Sequence, residues 1–225
     1  VNAQRGGAAP VREFAGEFEI HLTVRPDADA DGEERIRLWA QRHGFKYTRI
    51  VLDRGRTPDQ PMLTCSGRGT LAAQLATARG WADRLRGDGF RVARLKVEGA
   101  PWNADVPETD REARALPEGC YFEHHVKLIL SGETQVAAVR ALAESHAAHV
   151  SRNARRSTEG GRHERFVTQR CRGVGRAEAA RRLGALLRAL HEAGHPVVEV
   201  EREFVVHDDN PAVDAGWIEG EPRAA

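Results

Sequence analysis

Phe18 to Val24 reads FEIHLTV and Phe122 to Leu128 reads FEHHVKL, so the pattern Phe-Glu-x-His-x-x-aliphatic occurs twice. The interval separating His21 from His125 also separates Leu63-Thr64 from Val167-Thr168. VARLKVE at Val92 meets VVEVERE at Val197 after an interval one residue longer, which a loop insertion explains. A repeat on this scale constrains the architecture before any single residue is interpreted. It predicts two similar lobes of about 100 residues each.

Both copies alternate with the period of a strand. Phe18, Ile20, Leu22 and Val24 share one face, with Glu19, His21 and Thr23 on the other. In the second copy Phe122, His124, Val126 and Leu128 oppose Glu123, His125 and Lys127. One face suits a core, and the other carries carboxylate, imidazole and a hydroxyl or ammonium.

Around the first motif, helical spacing in 33–43 and 70–87 and β-branched or aromatic runs at 45–52, 62–66 and 91–98 give the order β-α-β-β-α-β. The second half repeats it, with Ser131 expected to cap a helix, strands at 149–154, 165–172 and 196–206, and a helix over 177–193. Such a unit predicts a ferredoxin-like antiparallel sheet with both helices on one face. The expectation is an α+β protein of two duplicated ferredoxin-like units, their polar open sheet faces forming a shared groove. Its parts are a disordered tail at 1–16, lobe one at 17–99, a linker at 100–119 held down by Trp102, lobe two at 120–206 and a C-terminal tail at 207–225.

With 40% hydrophobic and 30% charged residues and a net charge of +1, nothing calls for an extended nucleic-acid surface or a membrane partner. No apolar run approaches a membrane span, and a cytoplasmic protein is expected. Cys65, Cys120 and Cys171 lack C-x-x-C spacing, which argues against a disulfide framework or a thiolate zinc site. Lysine occurs only at Lys46, Lys96 and Lys127 among 34 basic residues. In a chain so biased to arginine, these are positions where a compact ammonium does what a planar fork does not.

His21-Leu22-Thr23-Val24 resembles the His-hydrophobic-Thr/Ser-hydrophobic signature of the two-histidine phosphoesterase superfamily, whose members are pseudo-symmetric two-lobed α+β proteins with one motif per lobe. The resemblance implies that His21 and His125 act as catalytic acid and base on a phosphodiester without a metal, with Thr23 holding phosphate. Lys127 stands where that family has Thr or Ser. The residues themselves point to an anionic small molecule or nucleotide, gripped by Lys127 with Arg170 or Arg172. Ser151-Arg152-Asn153-Ala154-Arg155-Arg156 adds a second basic segment, and the glycines at 67–69 and 173–175 are candidate anion cradles.

Two alternatives stay open. Glu19, His21, Glu123 and His125 form a Glu-x-His pair from each lobe, a ligand set suited to a divalent metal such as Zn, Mn or Fe. Otherwise the groove binds without catalysing. His124, on the apolar face, reads as a core histidine.

Overall fold

A computed structural model describes residues 13–25, 32–154 and 162–217. Most of the expected N-terminal tail, the acidic loop at 27–31, Arg155 and Arg156, and the end of the C-terminal tail lie outside the described residues. The elements run β1 (Ala15–Arg25), α1 (Gly32–His43), β2 (Lys46–Leu52), β3 (Asp59–Thr70), α2 (Leu71–Gly87) and β4 (Arg91–Gly99). A four-residue helix α3 (Asp110–Ala113) follows, then β5 (Tyr121–Leu130), α4 (Glu133–Ser145), β6 (Ala148–Asn153), β7 (His163–Arg172), α5 (Arg176–Glu192) and β8 (Val197–Asp208).

The eight strands are all antiparallel and close in the order β1-β3-β2-β6-β7-β5-β8-β4. Closure corrects the expected pair of open sheets around a groove. Each four-stranded half would have ended in two bare edges, with rows of unpaired N–H and C=O groups. Ile50 to Leu52 of β2 instead pair with Ser151 to Asn153 of β6, and Lys96 to Gly99 of β4 pair with β8.

The apolar alternates point out of the barrel and the helices cover them. Ile20, Leu22 and Val24 pack with Ile36, Trp39, Ala78 and Leu85; Val126 and Leu128 pack with Val136, Val139, Leu183, Leu186 and Leu190. Burying such side chains contributes roughly 1.5–3 kcal/mol each. The polar alternates therefore point inward. An eight-stranded barrel leaves room for side chains or for one small ligand.

Several local expectations change. Ser131 does not cap α4; Gly132 precedes the helix without a side-chain cap, and the Ser131 N–H donates to Gln135 Oε1 at 2.6 Å. Trp102 is 63% exposed. The linker is held by Asn103 instead, whose Oδ1 accepts from the Glu17 N–H at 2.9 Å while its Nδ2 donates to the Glu17 carbonyl at 2.6 Å. Gly67 and Gly69 lie inside β3, and the Gly175 N–H at the head of α5 is taken by Asp110 Oδ1 at 2.9 Å, so neither glycine segment is an open anion cradle. Beyond Asp208 the chain folds back, burying Asp214 and Trp217 against the barrel, with Trp217 Nε1 donating to the Val150 carbonyl at 3.1 Å. Among the described residues, no helix is long and apolar enough to cross a membrane.

Candidate functional site: a charged cavity inside the barrel

The barrel encloses a cavity of about 570 Å³ whose wall includes Glu19, His21, Thr23, Lys96, Glu98, Glu123, His125, Lys127, Arg170 and Glu203. Its organisation follows from the ladder. His21 stands opposite Thr64 and Lys96, and His125 opposite Thr168 and Glu201. Each imidazole is bonded through Nδ1 to the threonine hydroxyl across the strand pair, at 2.9 Å in both halves. The outer bond fixes each ring and turns Nε2 toward carboxylates. His21 Nε2 lies 2.5 Å from Glu98 Oε2 and 3.7 Å from Glu19 Oε2; His125 Nε2 lies 3.3 Å from Glu203 and 3.7 Å from Glu123.

Lys96 bridges the two buried glutamates, its Nζ 2.5 Å from Glu98 Oε1 and 2.6 Å from Glu123 Oε2. Arg170 donates through Nε to Glu123 at 2.6 Å and through Nη2 to Asp214 at 2.6 Å, and Arg94 reaches the same Asp214 oxygen at 2.8 Å while pairing with Asp208. Burying this many charges is tolerable only because nearly every one is paired and hydrogen-bonded.

These neighbours set the protonation states. Burial would raise the Glu98 carboxyl, but Lys96 and then His21 hold it down at about 2. Glu123 is likewise kept well below the carboxylate range against burial, by Arg170 and Lys96. Lys96 itself is raised by Glu123 and Glu98 despite the cost of burial. Burial would lower His125, yet its bonds to Glu123 and Glu203 push it up to about 10, so the ring is an imidazolium at neutral pH. Glu203 moves the other way from Glu98, raised by burial and by the nearby Glu98 charge.

The structure brings together Glu19, His21, Thr23, Glu123, His125, Lys127 and Arg170 on one cavity wall. Arg172 is not part of it: its guanidinium lies 4.0 Å over the Tyr121 ring and donates to the Glu118 carbonyl. Lys127 is already shared between Glu164 at 3.3 Å and Glu199 at 3.6 Å. The two Glu-x-His pairs do not meet as one four-ligand set. Their ligand atoms fall into two clusters, Glu19-His21-Glu203 and Glu98-Glu123-His125-Glu203, joined by Glu203. Asp208, Asp214 and Gln60, which support Arg94 and Arg170, were not legible as site residues. His124 is buried on the helix side, its Nδ1 3.2 Å from Gln169 Oε1, and burial lowers its pKa. The three cysteines are free thiols, pushed up to about 11 by burial, which removes them as neutral-pH nucleophiles.

No protein-family model and no curated protein matches the chain. Among solved structures, chlorite dismutase from Candidatus Nitrospira defluvii is similar in several variant forms. One is 12% identical over 85% of this chain and 92% of that one, at a TM-score of 0.28; another is 16% identical over 89% and 93%, also at 0.28. Aspartate kinase from Synechocystis is 10% identical over 86% of this chain and 45% of its own, at a TM-score of 0.26. Likenesses this distant assign the chain to no family and lend it no activity.

Proposed function

We propose that the chain is an enzyme acting on a phosphorylated or otherwise anionic small molecule or nucleotide held inside the barrel, with His21 and His125 as its proton-transfer pair. The observation that carries this reading is that both imidazoles, each anchored by a threonine, open onto one cavity and come within reach of the same carboxylate, Glu203. His125, protonated at neutral pH, gives its proton to the leaving-group oxygen, and His21 takes one from the attacking hydroxyl or water. Lys127, whose ion pairs are longer than those of Lys96 and Arg170, turns from Glu164 and Glu199 to the anionic group, with Lys46 and Arg152 on the same wall. Arg170 is assigned a supporting role, since its guanidinium bridges Glu123 and Asp214.

In this reading the two halves are one duplicated ferredoxin-like unit, which accounts for the His-Thr pair recurring 43 residues apart in each. Three free thiols suit a reducing compartment, and we place the protein in the cytoplasm.

The test is a panel of cyclic nucleotides, phosphodiesters and phosphomonoesters, read by thermal shift and by turnover. At least one is expected to raise the melting temperature and be hydrolysed, with His21→Ala and His125→Ala each lowering turnover at least a hundredfold while remaining folded. Turnover that survives in both variants removes the proton-transfer roles. Failure of every anion to bind removes the site.

A further inference from the structure

The acid–base pair accounts for the imidazoles but not for the carboxylates crowded around them. Glu19, Glu98, Glu123 and Glu203 reach the cavity from four neighbouring strands. Lys96 serves Glu98 and Glu123, and Arg170 serves Glu123. Among the described residues, neither Glu19 nor Glu203 has a Lys or Arg partner; each meets an imidazole alone, Glu19 at His21 and Glu203 at His125. The positive charge of the wall therefore stops one step short of this pair.

Resting on the reading of the cavity as the functional site, but giving His21 the place of a ligand through Nε2 rather than that of the proton acceptor, we infer that Glu19, His21 and Glu203 bind one divalent transition-metal ion beside the Lys96 ammonium. Their ligand atoms lie within 4.8 Å of one another. Bonds of about 2.0–2.2 Å hold ligands about 3–4 Å apart, a closure within reach of side-chain rotation. The ring of His21 gives independent support. With Nδ1 committed to Thr64, Nε2 faces the oxygens of Glu98 and Glu19 and is buried without a hydrogen bond of its own. Metal-ligating histidines keep their second nitrogen in just such an outer bond.

The second cluster, Glu98-Glu123-His125-Glu203, is the lesser candidate because the Lys96 ammonium already sits between Glu98 and Glu123. One imidazole with two carboxylates suits Zn, Mn or Fe better than the all-oxygen preference of Mg or Ca. An ion here adds a positive charge facing the cavity, where it would polarise a bound phosphoryl oxygen.

The experiment uses full-length, tag-free protein stripped with chelator and titrated calorimetrically with Zn²⁺ or Mn²⁺ alone. One equivalent is expected to bind and to raise the melting temperature. Glu203→Gln and His21→Gln should each weaken binding at least tenfold with an unchanged circular dichroism spectrum. Should either fail to fold, Glu19→Gln at the more exposed carboxylate poses the same question. Glu17→Gln, on the same face of β1 but paired with Arg68, should bind as the parent does. Absence of stoichiometric uptake by the parent, or Glu203→Gln binding as tightly as the parent, overturns the site. Inorganic phosphate is titrated into the stripped protein in parallel: anion binding without metal uptake overturns the metal site alone, and metal uptake with no anion binding overturns the anionic-substrate reading alone.

Discussion

Asp214 shows how one residue can hold a site that it does not belong to by sequence. It is 1% exposed, accepts from Gln60, Arg94 and Arg170, and is the shared anion between two guanidiniums. Burial would raise its pKa, but Arg170 and Arg94 outweigh that and hold it at about 2, against an ordinary 3.8. A carboxylate depressed in the folded state stabilises fully above its unfolded pKa and loses that contribution as pH falls through the folded one. On the order of 2 kcal/mol should therefore disappear between about pH 4 and pH 2. Urea melts of the parent across that range should show the loss, and Asp214→Asn should be destabilised by roughly 3 kcal/mol at pH 7, because two buried cations each lose one of their two carboxylates. A variant as stable as the parent at neutral pH would show the pairs to be dispensable. The inward face of His21 and His125 was legible because strand alternation is a local pattern. Asp214 was not, since it lies 120 residues from Arg94 and 44 from Arg170, in a tail with no periodicity to place it.

Between elements, the segment before β5 is packed rather than slung. The Thr109 hydroxyl caps α3, Asp110 accepts from the N–H of Gly175, and Arg176 donates to the Pro101 carbonyl, so the segment from 100 to 119 is clamped against the head of α5. Gly175 permits the approach: a Cβ there would stand 2.4 Å from the Glu108 carbonyl oxygen, a backbone atom that cannot rotate away. Gly175→Ala should consequently cost roughly 1–3 kcal/mol by chemical denaturation. An unchanged midpoint would mean that the linker rides loosely on the helix. Helices α2 and α5 were legible to within a residue or so from their leucine and alanine stripes. Strand β3 was read as five residues when it has twelve, because Pro61, Gly67 and Gly69 look like turn punctuation. In the fold, Gly67 pairs with Phe18, and the Gln74 amide lies where a side chain would project, so that glycine serves contact rather than turning.

Across the whole molecule, one of the two seams between the halves is shorter than any ladder inside them. The β2–β6 seam has three paired positions, whereas β1 and β3 pair from Ala15 to Thr23. Partial opening should begin at the short seam. Native-state hydrogen exchange is expected to release the amides of Ile50 to Leu52 and Ser151 to Asn153 before those of β1, β3, β5 and β7; uniform protection would show that the barrel opens only by global unfolding. Closure itself was illegible, because each half alone satisfies the pattern of an open sheet, and the edges join only through the pairings of β2 with β6 and of β4 with β8. The orientation of the barrel carries a further consequence for how such a sequence can change. Along each strand, every second position answers to the helices outside and its neighbours answer to the chamber inside, so the two sets meet separate physical demands. Chamber residues can be exchanged for a new chemistry without disturbing the packing that keeps the fold, provided that each set of exchanges keeps the charges within balanced.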